Sequence, residues 1–230
     1  MREIVLDTET TGMDPTKGDR LVEIGCVELM NHMPTGKTLQ IYINPEREIP
    51  EEAIAVHGIT NEFVADKPVF SQIYSEFIEF LGHDSKLVIH NAEFDMKFIN
   101  YQLAQVGHPA IGWGRVVDTL AIARKKFPGS PANLDALCRR FAIDNTGRTY
   151  HGALLDSELL ADVYLELLGG RQHGLGLHAD KTQPGKTAAA STIAKRIYRE
   201  PRIFTPSDEE KAAHDALLCE LKDPIWQKQS

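Results

Sequence analysis

Apolar positions come in short runs near the amino terminus and in helical spacing further on. Ile4-Val5-Leu6 is a brief apolar run inside residues 2–8, the pattern of a buried strand. Residues 21–31 and 38–43 alternate apolar and polar, which predicts the second and third strands of a meander, with His32, Pro34 and Gly36 in the turn between them. A loop with Pro45 and Pro50 follows. Phe70, Ile73, Phe77, Ile78 and Leu81 then share a helical face over 70–81, and Gly82 ends it. Leu87-Val88-Ile89 reads as another buried strand. Residues 92–106 read as a helix, with Asn91 as its N-cap and Gly107 just past its end. Val116-Val117 is a short strand, followed by helices near 118–126 and 133–141. A last long helix from Ala153 keeps Leu155, Leu159, Leu160, Val163, Leu167 and Leu168 on one side until Gly169-Gly170. The order β-β-β-α-β-α-β-α-α-α predicts an α/β domain with a mixed five-stranded central sheet and helices on both faces.

Composition then divides the chain. Residues 178–195 hold one aliphatic residue larger than Ala among Gly, Pro, Ser and Thr, which reads as a flexible linker. Residues 207–222 regain helix character, with Ser207 ahead of Asp208, Glu209 and Glu210. A helix this short does not fold alone in water, so it is expected to dock on something. The expected division is a domain over 1–170, a connecting stretch over 171–195 and a tail over 196–230. No run near 18 apolar residues exists to span a membrane, and the amino terminus lacks the pattern of a secretory signal. Cys26, Cys138 and Cys219 have no C-x-x-C spacing, which fits a reduced cytoplasmic protein rather than a disulfide scaffold.

The net charge of −8 is unusual for a nucleic-acid enzyme, whose affinity commonly comes from Lys and Arg on phosphates. Residues 1–170 carry 15 basic and 25 acidic side chains, whereas residues 171–206 carry seven basic and two acidic. Bound cations would account for part of the acidic excess. The rest suggests an enzyme that grips its substrate weakly and is held on it by a partner.

Candidate chemistry lies with the acids. Asp7 and Glu9 are two apart at the end of the first strand, so both carboxylates share a face. Either a cation lies between them or the strand simply ends there and both are solvated. Asp95 falls in the first turn of the helix after the fourth strand, where an acid is ordinary dipole chemistry. Asp156 comes five residues after His151, off a common helical face. The two converge only if His151 lies in the loop before the helix, which Gly152 permits. Together, four carboxylates and a loop histidine form an all-oxygen site suited to two hard cations, Mg²⁺ or Mn²⁺, with His151 as general base for an attacking water.

The segments VLDTETTG (5–12), HNAEFD (90–95) and HGALLD (151–156), in this order, resemble the DEDDh 3′→5′ exonucleases of the ribonuclease H-like fold over residues 1–168. The resemblance implies that Asp7, Glu9, Asp95 and Asp156 hold the metals and that His151 is the general base. It also implies that Thr11 and Gly12 lie against the terminal nucleotide, flanked by His57 (in VHGIT) and Phe94. Asp7, Glu9 and Asp156 would also touch the substrate. Within the family the likeness is to the branch that proofreads for bacterial DNA polymerase III. It implies single-stranded or frayed 3′ DNA ends as substrate and docking of residues 196–230 on the polymerase alpha subunit. Gln172, Leu175 and Leu177 are similar to the Gln-x-x-Leu-x-Leu peptides that bind the bacterial sliding clamp. Two other readings share these motifs: an RNA-trimming exonuclease, and a non-catalytic replisome adaptor. The linker and apolar tail disfavour the first, and the complete set of acids disfavours the second.

Overall fold

The computed structural model describes residues 1–147, 150–170 and 205–220. The chain separates into two compact units, Met1–Leu177 and His178–Ser230. In the first, strands β1 (Arg2–Thr10), β2 (Leu21–Met30), β3 (Met33–Tyr42), β4 (Lys86–Ile89) and β5 (Val116–Asp118) form one sheet in the order β3-β2-β1-β4-β5. The meander β1-β2-β3 is antiparallel, while β1-β4 and β4-β5 are parallel, giving the expected mixed sheet. Helices α1 (Glu51–His57), α2 (Asn61–Val64), α3 (Phe70–Leu81), α4 (Ala92–Gln105), α5 (Thr119–Lys126), α6 (Leu134–Phe141) and α7 (Ala153–Leu168) surround it.

The period of two in β1 sorts the core. Ile4 and Leu6 pack with Phe77 of α3 and Phe98 of α4, while Val5 points the other way into a cluster with Leu137 of α6 and Leu160 and Val163 of α7. A smaller cluster of Val22, Ile49, Ile59 and Val64 seats α1 and α2. Because β1 and β2 are apolar on both faces, each can carry helices on each side.

Four local expectations are corrected. Strand β1 runs to Thr10, so Asp7 and Glu9 lie within the strand rather than at its fraying end. The β2-β3 turn is the two residues Asn31 and His32, both with positive φ (51° and 67°), the geometry that matches strand twist in a tight hairpin. Pro34 and Gly36 belong to β3, an edge strand where a missing N–H is tolerated and where the register with β2 slips between Val27 and Leu29. The Pro45–Pro50 loop is followed by α1 and α2, which are too short for periodicity to reveal. Pro50 precedes α1, Gly58 closes it at φ 73°, and the Thr60 hydroxyl caps α2 by accepting from Phe63 N–H at 3.2 Å. Asn91 precedes α4 but does not cap it with its side chain. It takes a left-handed conformation (φ 65°, ψ 50°), with its N–H donated to Asp118 Oδ1 at 3.1 Å.

In the second unit α8 spans Asp208–Glu220, within the expected 207–222. The Ser207 hydroxyl and Glu210 carboxylate cap it reciprocally, at 3.2 and 2.8 Å. The expected domain borders near 171 and 196, the Gln172, Leu175 and Leu177 peptide, the 178–195 linker and most of the 196–230 tail lie outside the described residues. Among the described residues no helix is long and apolar enough to cross a membrane.

Candidate active site

Asp7 and Glu9 leave β1 on the same face as Val5, toward α7. Their β2 partners in register are Gly25 and Glu23. A Cβ at Gly25 would lie 2.2 Å from the backbone of Ala153 and Leu154, so only glycine lets the start of α7 rest on the strand. Two hydrogen bonds fix that contact. The buried Glu23 carboxylate accepts from Ala153 N–H at 3.0 Å, and the Ser157 hydroxyl donates to Gly25 O at 3.0 Å. This places Asp156, 4% exposed, beside the β1 acids. From the other side of the sheet, Asp95 in the first turn of α4 is 3% exposed and accepts from the Thr8 hydroxyl at 2.7 Å.

His151 lies in extended chain just before α7, as convergence with Asp156 requires. Its Nδ1 is 3.4 Å from Asp156 Oδ2. The loop is anchored on α1: His151 N–H donates to Val56 O at 3.1 Å, and the Tyr150 ring lies over Gly58, where a Cβ would approach it to 3.1 Å. Ligand atoms of Glu9, His151 and Asp156 all lie within 4.8 Å of one another.

So many acids in one place perturb one another. Burial, then the charges of Asp95, Glu9, Asp156 and Glu23, push the Asp7 carboxyl well above its ordinary range. Burial raises Asp95 to about 7, against the pull of its hydrogen bond from Thr8. A fold that gathers four acids on one cleft wall at this cost fits hard divalent cations. Asp7, Glu9, Asp95 and Asp156 are the residues that would hold them.

Two cavities meet at this centre. A cleft of about 700 Å³ runs from the acids to Arg124, Ser130 and Asn133. A second, of about 420 Å³, is walled by Thr11, Gly12, Met13, Val56 and His57. Thr8, Glu9 and Phe94 line both. The residues expected to surround a terminal nucleotide are thus brought together, with distinct local duties. The Thr11 hydroxyl accepts from Arg20 N–H at 3.0 Å, closing the loop that carries Gly12. Gly12 itself faces Asp19, whose carboxylate a Cβ would meet at 2.5 Å. His57 is buried, accepts from Ile59 N–H at 3.0 Å through Nδ1, and is held below its ordinary pKa by burial. Phe94 packs on Phe98 at 5.0 Å while its other side lines both cavities. Sequence reasoning missed Thr8, Glu23, Gly25 and Val56. Gly25 and Glu23 inside the largely apolar strand LVEIGCVEL were the available signal.

The family model described as Exonuclease (RNase_T) matches residues 4–164. The chain is 46% identical over 224 residues to DNA polymerase III subunit epsilon of Rickettsia conorii, with 96% of each covered. It is 42% identical over 224 residues to the Escherichia coli K12 protein of the same name, covering 94% of this chain and 92% of that one. Among solved structures, Exonuclease X in complex with 5′-overhanging duplex DNA superposes with a TM-score of 0.57 at 26% identity, over 72% of this chain and 90% of that one. The nuclease domain of 3′hExo, a DEDDh family member bound to rAMP, shares the fold at TM-score 0.63 and 22% identity, over 73% and 91%. Motifs, fold and identity over nearly the whole length agree: the chain belongs to the DEDDh exonucleases and, within them, to the DNA polymerase III epsilon subunits.

Proposed function

We propose that this 3′→5′ exonuclease proofreads by removing nucleoside monophosphates from single-stranded or frayed 3′ DNA ends, with two Mg²⁺ or Mn²⁺ ions held by Asp7, Glu9, Asp95 and Asp156. The observation that carries the reading is the gathering of those four acids with His151, from three separate chain segments, on the wall of the larger cleft, which Glu9 shares with the smaller cavity. When bound, the cations supply a polarised water and charge stabilisation at the leaving oxygen. The residues do the rest. His151 takes the proton of the attacking water, an imidazole being suited to that exchange near neutral pH. Asp156 orients the ring. Thr11, Gly12, His57 and Phe94 hold the terminal nucleoside in the smaller cavity, and the preceding strand occupies the larger cleft. Selectivity for mismatched ends needs no base reading, because an unpaired end reaches the site at lower cost than a paired one.

The same reading assigns residues 196–230 to docking on the polymerase III alpha subunit, residues 172–177 to the sliding clamp, and the protein to the cytoplasm. The test is a Mg²⁺-dependent digestion of 5′-labelled DNA and RNA of one sequence by wild type and Asp7→Ala. A ladder shrinking from the 3′ end of DNA, absent in the variant and slow on RNA, is expected. Full activity in Asp7→Ala would remove the site assignment, and faster trimming of RNA would move the function to RNA processing.

A further inference from the structure

We propose that Arg124, backed by Lys125, Arg139 and Arg140, grips backbone phosphates of the strand 5′ to the scissile bond. This rests on the nuclease reading above. Residues 119–141 hold five of the 15 basic side chains of residues 1–170 and one of their 25 acids. The only strongly basic stretch of an acidic domain therefore borders the larger cleft. Among the described residues Arg124 is the one Lys or Arg lining either of the two cavities, and it lines the larger one only. Among the described residues its guanidinium has no ion-pair partner.

The neighbouring cations are placed by the fold. Lys126 Nζ donates to the carbonyls of Glu166 (3.3 Å) and Leu167 (2.9 Å) at the end of α7. Arg140 stacks over Phe127 with its guanidinium carbon 4.3 Å from the ring centre, and Phe127 meets Phe141 at 5.9 Å. These contacts clamp the ends of α5 and α6 together, so that their basic last turns form one surface. Lys125 and Arg139 are exposed on it. Ser130, Asn133 and Leu134 at the start of α6 also line the cleft, as does Asp135, the one acid of residues 119–141. A strand whose terminal nucleoside fills the smaller cavity leaves through the larger cleft, and among the described residues Arg124 is the positive side chain that lines that path.

The test compares full-length wild type, Arg124→Gln and Arg124→Lys on a 5′-labelled oligothymidylate strand and on thymidine 5′-p-nitrophenyl phosphate, which lacks any upstream phosphate. In Arg124→Gln, KM for the strand is expected to rise about tenfold relative to the change on the ester, the loss of one charge-assisted contact, while kcat on the strand is largely kept. The slope of log KM against log salt should fall by about 0.7, one released counterion on a single strand, and Arg124→Lys should restore it. Equal losses on both substrates, or an unchanged salt slope, would overturn the assignment. If the wild type hydrolysed neither substrate with Mg²⁺ present, the nuclease reading would fall, and this with it.

Discussion

Asp95 is a carboxyl group whose surroundings oppose its charge: it is 3% exposed, and burial raises it to about 7 although Thr8 donates to it. Asp7, beside it, is raised for the same first reason. In the unfolded chain such groups ionise near their ordinary value of 3.8. Between that pH and about 7 the metal-free fold holds protons that the unfolded chain has lost. The stability these groups contribute is therefore complete below the lower value and is lost as pH rises through the upper one. Divalent cations bind only the ionised acids and reverse the cost. In chelator, the melting temperature should fall as pH rises from about 4 to about 7, and the gain on adding Mg²⁺ should widen over the same range. Asp95→Asn should flatten much of the fall in chelator. A Mg²⁺ gain that is constant with pH would show that the acids do not strain the metal-free fold.

At the scale of elements, the site depends on how closely α7 rests on β2. Gly25→Ala would put a methyl carbon 2.2 Å from the Ala153 backbone, which cannot yield as a flexible side chain would. The helix start must lift, and Asp156 and His151 lift with it. Overpacking of this kind costs about 1–3 kcal/mol in stability, and a displacement of about 1 Å at reacting groups costs on the order of 100-fold in rate. The variant should thus remain folded by urea titration while losing most of its exonuclease activity; activity near wild type would refute the account. Much of this arrangement was legible in the sequence, since an apolar run marked β1, alternation marked β2 and β3, and helical spacing marked α3 and α7. The acids were picked out by the three motifs VLDTETTG, HNAEFD and HGALLD taken together, since strand geometry joined only Asp7 and Glu9 and no helical face joined His151 to Asp156. The contacts that aim them were not. Thr8 reaching Asp95, Glu23 receiving the Ala153 N–H and Val56 receiving the His151 N–H join residues 87, 130 and 95 positions apart, and no local pattern encodes such pairings. α1 and α2 escaped because seven and four residues make too few turns for a period to emerge.

At the scale of the whole chain, the charge distribution bears on how the enzyme is kept on DNA. An exonuclease domain with a net charge of −10 over residues 1–170, and one basic face, holds a strand through few phosphate contacts. Attachment to a complex already on the DNA replaces that missing affinity with a high local concentration, provided the tether reaches. On the proposed function, cleavage falls to Met1–Leu177, which also carries the proposed clamp peptide 172–177, and docking on the polymerase falls to His178–Ser230. Asp7, Glu9, Asp95, Asp156 and His151, both cavities and the α5–α6 basic face all lie in the first. Deleting residues 178–230 should therefore leave Mg²⁺-dependent digestion of short single strands nearly unchanged, yet end co-purification with the polymerase alpha subunit. Retention of the sliding clamp by the same truncation, and its loss on Gln172→Ala with Leu175→Ala, would separate the two attachments. If the truncation instead lost cleavage of short strands along with the polymerase, residues 178–230 would be part of the catalytic fold, and weak intrinsic grip could no longer be the reason the enzyme is tethered.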